Sequence, residues 1–237
     1  MGILRPITWR NELMTVDLVA SLRVWSSEQD DVEQFADAVD FEGATVRGNR
    51  PGTQWTWRWA SPLAADSSLD KQALRVAEQV ASCKTDIQRL FRNRADVFIG
   101  IMPDEDIALH LSARSIEVLA ATGIDVNIDV YPVHELEESE AHEVSAAGGS
   151  SVALGNKDEA MIVLELPRGS REWHRLVAAG VEAIEREARP EASREATVVF
   201  VLNLGSSSIL PFSSVQLSRL RDAHAEIELR LRRPAKT

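Results

Sequence analysis

The chain repeats its own apolar pattern. Residues 96–130 lie on residues 197–231 without a gap, at a constant shift of 101 that carries Ser112 onto Ser213. Under this shift Val97, Ile99 and Ile101 fall on Val198, Phe200 and Leu202. Ile116 and Leu119 fall on Leu217 and Leu220, and Val126, Ile128 and Val130 fall on Ile227, Leu229 and Leu231. Few residues are identical, but apolar positions stay apolar. A register kept over such a length marks one folding unit used twice.

Local periodicity gives the unit. Residues 19–25 alternate around Ala20, Leu22 and Val24 and predict a strand. Residues 30–39 predict a short helix with Val32, Phe35, Ala36 and Val39 on one face. Residues 43–52 predict a loop, punctuated by Gly48, Pro51 and Gly52. At 54–60, Trp55, Trp57 and Trp59 alternate with Thr56 and Arg58, which puts three indoles on one strand face. Residues 67–70 read as a capping box opening a helix to about residue 93. Residues 97–102 predict a strand, 103–106 a turn, and 107–111 the second arm of a hairpin. Ser112 then caps a helix ended by Gly123, and 126–130 close the unit as a strand. The second copy follows the same order. It has a strand at 161–166, then a helix capped by Ser170. A hairpin of 197–202 and 208–212 turns around Gly205, a capping box spans Ser213 to Gln216, and 227–231 form the last strand.

Strand, helix, strand, strand, helix, strand is the ferredoxin-like order. The expected architecture is therefore α+β: two tandem ferredoxin-like (βαββαβ) repeats, their antiparallel sheets packed as an internal pseudodimer. Each copy leaves one apolar sheet face bare, and the other copy is its natural cover. The expected division is an arm at 1–15 and a first domain at 16–133 with an extra strand and helix at its start. A linker at 134–160, acidic and then Gly/Ser-rich, leads to a second, diverged repeat at 161–234.

Charge narrows the function. The formal net charge is −11, which repels nucleic acid and favours a basic partner. No apolar run approaches the ~20 residues that span a bilayer. Cys83 is the one cysteine, so no internal disulfide forms, and the first residues lack a signal-peptide core. A cytoplasmic protein without a membrane partner is expected.

Candidate binding residues fall into two groups. Trp55, Trp57 and Trp59 fill a core, meet an interface or offer a flat platform to a ligand. Trp25 and Trp173 lie among apolar residues and read as core. The second group is acidic: Asp104, Glu105 and Asp106 at a turn, and Glu135, Glu137, Glu138 and Glu140 in the linker. Such runs are ordinarily solvated surface, but they would suit a basic protein partner. No histidine pair has HxH or HExxH spacing, so no metal site is expected. Cys83 reads as a structural thiol. There is no GxSxG, no GxGxxG and no P-loop of correct spacing, so neither a catalytic residue nor a cofactor is assigned. The RNA-binding form of the same fold is rejected: Phe98 and Phe200 sit on the right strands, but no basic aromatic motif surrounds them.

Residues 18–131 resemble the bacterial family known as domain of unknown function 4279. The resemblance is carried by residues 22–35, the Gly48 loop, Trp57-Arg58-Trp59, the long helix, Leu109 to Ser112, 116–119 and Ile128 to Tyr131. It implies a small cytoplasmic bacterial protein, of a kind sometimes encoded beside toxin genes in an immunity role. Residues 161–232 depart from the pattern, lacking the Trp strand and the opening strand and helix. Three readings follow, in order. The first is a non-enzymatic, immunity-type binding protein that masks a basic partner. The second is a regulatory module with a small-molecule ligand between the repeats. The third is an enzyme with a pocket between the sheets.

Overall fold

Strand alternation decides what faces the core. In the computed structural model β1 (Val16–Ser26) buries Leu18, Ala20, Leu22 and Val24 and turns Asp17, Arg23 and Trp25 to the other side. The structure describes residues 16–48, 54–91, 94–103, 106–131, 159–165, 173–187, 195–203 and 208–232. After β1 come α1 (Gln29–Val39), β2 (Thr45–Gly48), β3 (Trp55–Ala60), α2 (Leu69–Leu90), β4 (Ala95–Pro103), β5 (Ile107–Leu111), α3 (Ala113–Thr122) and β6 (Asp125–Val130). The second half holds β7 (Glu159–Glu165), α4 (Trp173–Glu187), β8 (Glu195–Asn203), β9 (Ser208–Phe212), α5 (Ser214–Asp222) and β10 (Ala225–Arg232). The protein is mixed α and β, with five helices and two sheets among the described residues. The shift of 101 carries β5 onto β9 residue for residue, and α3, β4 and β6 onto α5, β8 and β10 to within a residue or two at each end.

The sheets are not the antiparallel pair expected. One is six-stranded, in the order β2-β3-β1-β4-β6-β9; the other is four-stranded, in the order β5-β10-β8-β7. Within the second, β7, β8 and β10 run parallel. Neither expected hairpin forms: β4 and β5 lie in different sheets, and so do β8 and β9. The reason is edge occupancy. Both sides of β4 are taken by β1 and β6, and both sides of β8 by β7 and β10, which leaves no ladder for a returning arm. Each short strand instead crosses to the other half. Strand β5 pairs with β10, and β9 pairs with β6, so each covers the outer edge of a longer strand and becomes a short edge strand itself. Strand β1 sits between β3 and β4, while their counterparts β7 and β8 are direct neighbours.

One apolar core joins both sheets. It takes in Val32 and Phe35 of α1, Val76 and Val80 of α2, and Ile116 and Leu119 of α3. Val177 and Val181 of α4 and Leu217 and Leu220 of α5 belong to it too. Phe200 of β8 and Phe212 of β9 meet edge to face, with centroids 5.8 Å apart, across the two sheets. The unbroken run from Val198 to Leu202 is buried throughout, as a parallel strand covered on both faces requires. Helix α4 lies so close to its sheet that a Cβ at Gly180 would stand 2.6 Å from Leu164 Cδ1 and 3.2 Å from Val198 Cγ1.

Two local expectations change. Residues 45–48 add an edge strand where a loop was expected, pairing antiparallel with β3. Ser68, not Ser67, caps α2. Asp70 does not complete a capping box but reaches α3, where its Oδ1 accepts from Ser112 N (2.8 Å), Ser112 Oγ (2.9 Å) and Ser115 Oγ (2.5 Å). Burial pushes the Asp70 carboxyl up, but these hydrogen bonds outweigh it and hold the group below its ordinary range.

Candidate functional site on the outer face of the six-stranded sheet

The alternation that buries the indoles of β3 turns Thr56 and Arg58 outward. Trp57 and Trp59 are 1% and 5% exposed and Trp55 is half-buried. Phe35 packs edge-on against Trp57 at 5.0 Å. The Trp strand is therefore core, and Trp57 and Trp59 offer no platform. Trp25, expected in the core, stands on the outer face and is half-buried.

Register then builds a row across four strands. Thr45 of β2 lies opposite Arg58 of β3, Arg58 opposite Arg23 of β1, and Arg23 opposite Asp96 of β4. The next row places Arg47 opposite Thr56, and Thr56 opposite Trp25. These two rows floor an open groove of about 780 Å³, with Asn127 at its far side.

The cations differ in their pairing. Arg23 is held: its Nε donates to Asp96 Oδ1 at 2.8 Å, its terminal nitrogen to Oδ2 at 2.5 Å, and its guanidinium lies 4.1 Å over the Phe98 ring. Asp96 is 3% exposed and also accepts from Asn127 Nδ2 at 2.7 Å. Arg47 and Arg58 have no carboxylate partner among the described residues. Burial, then the charges of Arg23 and Arg47, pull Arg58 below the ordinary arginine value. Like charges directly opposite on neighbouring strands repel, so Arg58 stands in a field that favours an anion.

The face continues past Gly100, where Phe98 and Tyr131 lie 3.3 and 3.8 Å from the place a Cβ would take. A side chain at 100 would crowd both rings. Tyr131 donates to Asp129 Oδ2 at 2.7 Å, and its phenol is pushed up to about 12 by burial and then by Asp129. Burial raises the Asp129 carboxyl as well, and its Oδ1 finds no hydrogen-bond partner among the described residues. A smaller cavity of about 220 Å³ lies beyond Asn127, beside His174 and the Ser213–Gln216 cap of α5.

Of the acidic candidates, Asp104, Glu105, Glu135, Glu137, Glu138 and Glu140 lie outside the described residues, and Asp106 is exposed. Among the described residues no group of His, Cys, Asp or Glu is placed to hold a metal ion. Cys83 is buried, and burial followed by Asp86 pushes its thiol up to about 12. Sequence reasoning missed Arg23, Arg47 and Arg58. The signal for Arg58 was present, since its place between Trp57 and Trp59 already set it on the opposite face. Which strands would flank it was not written in any local pattern.

Comparison with family models, with curated proteins and with solved structures finds no match for this chain.

Proposed function

We propose that this is a cytoplasmic, non-enzymatic binding protein whose working surface is the outer face of the six-stranded sheet, and that it binds an anionic small molecule there. One observation carries the reading: a chain of net charge −11 gathers Arg23, Arg47 and Arg58 in one groove where, among the described residues, Asp96 is the one lining carboxylate. Guanidinium forks match carboxylate and phosphate oxygens two at a time. A volume near 780 Å³ suits a small organic ligand. Of the three readings from sequence, this favours the ligand-binding module, with the ligand moved from a seam between halves to a sheet face. No helix among the described residues is long and apolar enough to cross a membrane.

Thermal melts in sulfate, phosphate and simple carboxylates, at ionic strength matched with sodium chloride, test it. A ligand at a hundredfold excess over its Kd adds about 2.7 kcal/mol, and Arg58→Ala removes that gain. Melts that follow ionic strength alone, with no anion preferred, overturn the proposal.

The fold carries a second proposal. The two halves derive from one duplicated βαββαβ unit that has exchanged its third strands. The constant shift and the matched bounds of β4 to β6 and β8 to β10 support it, and the parallel pairing of β4 with β6 and of β8 with β10 sets it apart from the ferredoxin-like sheet order.

A further inference from the structure

Charge in the groove does not balance. Among the described residues three guanidinium groups line it, Arg23, Arg47 and Arg58, against one lining carboxylate, Asp96, with Asp129 acting on Arg23 from outside the lining. Asp96 is already committed to Arg23 through two hydrogen bonds and to Asn127 through a third. Two positive charges are left over, those of Arg47 and Arg58. They sit diagonally on the paired strands β2 and β3, each with a threonine directly opposite: Arg47 with Thr56 and Arg58 with Thr45. The result is a grid of two guanidinium forks and two hydroxyls on adjacent strands. Trp25 borders it, one strand over from Thr56.

We infer that the ligand carries two negative charges at one end, as a phosphate monoester or a vicinal dicarboxylate does, with a flat apolar body that lies along Trp25. This rests on the anion-binding reading and narrows it to a charge state. A monoanion would leave one of the two guanidinium groups uncompensated beside the other cations. A dianion meets both forks, and its remaining oxygens accept from the threonine hydroxyls. Tyr131 gives its hydroxyl hydrogen to Asp129 and meets Arg58 only as a neighbour in charge, so neither residue hydrogen-bonds to the two forks.

Isothermal titration of the full chain with four probes at pH 8 and fixed ionic strength tests the charge. Phenyl phosphate and phenyl sulfate share a shape, but the first carries about two charges at that pH and the second one. Phthalate and benzoate form the same comparison among carboxylates. The expected result is about tenfold tighter binding of the dianion in at least one pair, and the pair that shows it identifies phosphate or dicarboxylate as the source. Arg47→Ala, at an exposed position on an edge strand, brings that ratio close to one while the monoanion still binds through Arg58. Equal affinities within both pairs overturn the inference and leave anion binding standing. Four silent probes remove the anion-binding reading itself.

Discussion

Asp96 is the residue on which the outer face depends, and Asp96→Asn measures how much. The substitution keeps shape and burial and changes one oxygen to an amide. Oδ1 still accepts from Arg23 Nε, at the 2.8 Å seen for the carboxylate. Oδ2 becomes a nitrogen that points its hydrogens at two donors, the Arg23 terminal nitrogen at 2.5 Å and Asn127 Nδ2 at 2.7 Å. Two charge-assisted hydrogen bonds are lost, each about 1.5 kcal/mol at the lower end of such bonds. The Asp96 side chain is 4% exposed but that of Arg23 is 31% exposed, so water screens part of the loss. The expected cost is about 2–3 kcal/mol, below the ~3–5 of a wholly buried broken pair. In a chain of this length about 1 kcal/mol moves Tm by ~2–4 °C, so Tm should fall by roughly 5–10 °C. Calorimetry and urea unfolding should agree. Asp17→Asn, at an exposed position of the neighbouring strand β1, should stay within about 0.5 kcal/mol of the parent. Sulfate should restore the Asp96 variant more than it stabilises the parent, because a third arginine now lacks its counter-charge. A loss under about 0.5 kcal/mol would refute the reasoning, since Arg23 would then be solvated enough to dispense with its partner.

Three further outcomes follow from the geometry. Asp129→Asn should stabilise the protein at neutral pH: burial raises the folded carboxyl above its ordinary 3.8, so ionisation above that value costs stability, and the gain should shrink in urea titrations as the pH falls to about 4 and be gone below it. Equal gains at pH 4 and pH 8 would contradict this. Phe212→Ala should cost about 3–5 kcal/mol and lower hydrogen-exchange protection in β6, which lies in the other half of the chain, because β9 pairs with it; protection lost only in the second half would exclude the exchange. Cys83, buried with its thiol pushed up to about 12, should resist thiol reagents at pH 8 until the protein is denatured, and labelling of the native chain within minutes would show an open helix.

Much of the fold was legible because its causes are local. A two-residue alternation around Trp57 fixes which side of β3 is buried, whatever lies beside it. Ser112 and Gly123 bound α3, and the Ser213–Gln216 capping box starts α5, through backbone groups within a few residues. The repeat at a shift of 101 foretold that β4 to β6 would return as β8 to β10. Pairing is different in kind. Strands β5 and β9 carry the same alternation whether they fold back or cross over, and only the filling of both edges of β4 and β8 sends them to the opposite sheet.

The site divides along the same line. That Arg58 faces away from the indoles was determined by its position between two of them. That Arg23, Arg47, Thr45 and Asp96 stand beside it was decided by which strands the sheet brought together, residues 73 positions apart in the case of Arg23 and Asp96. Local sequence sets the direction in which a side chain points, because backbone geometry repeats over two to four residues. It does not set the neighbours that side chain will meet, because those depend on which sheet edges the rest of the chain has already occupied.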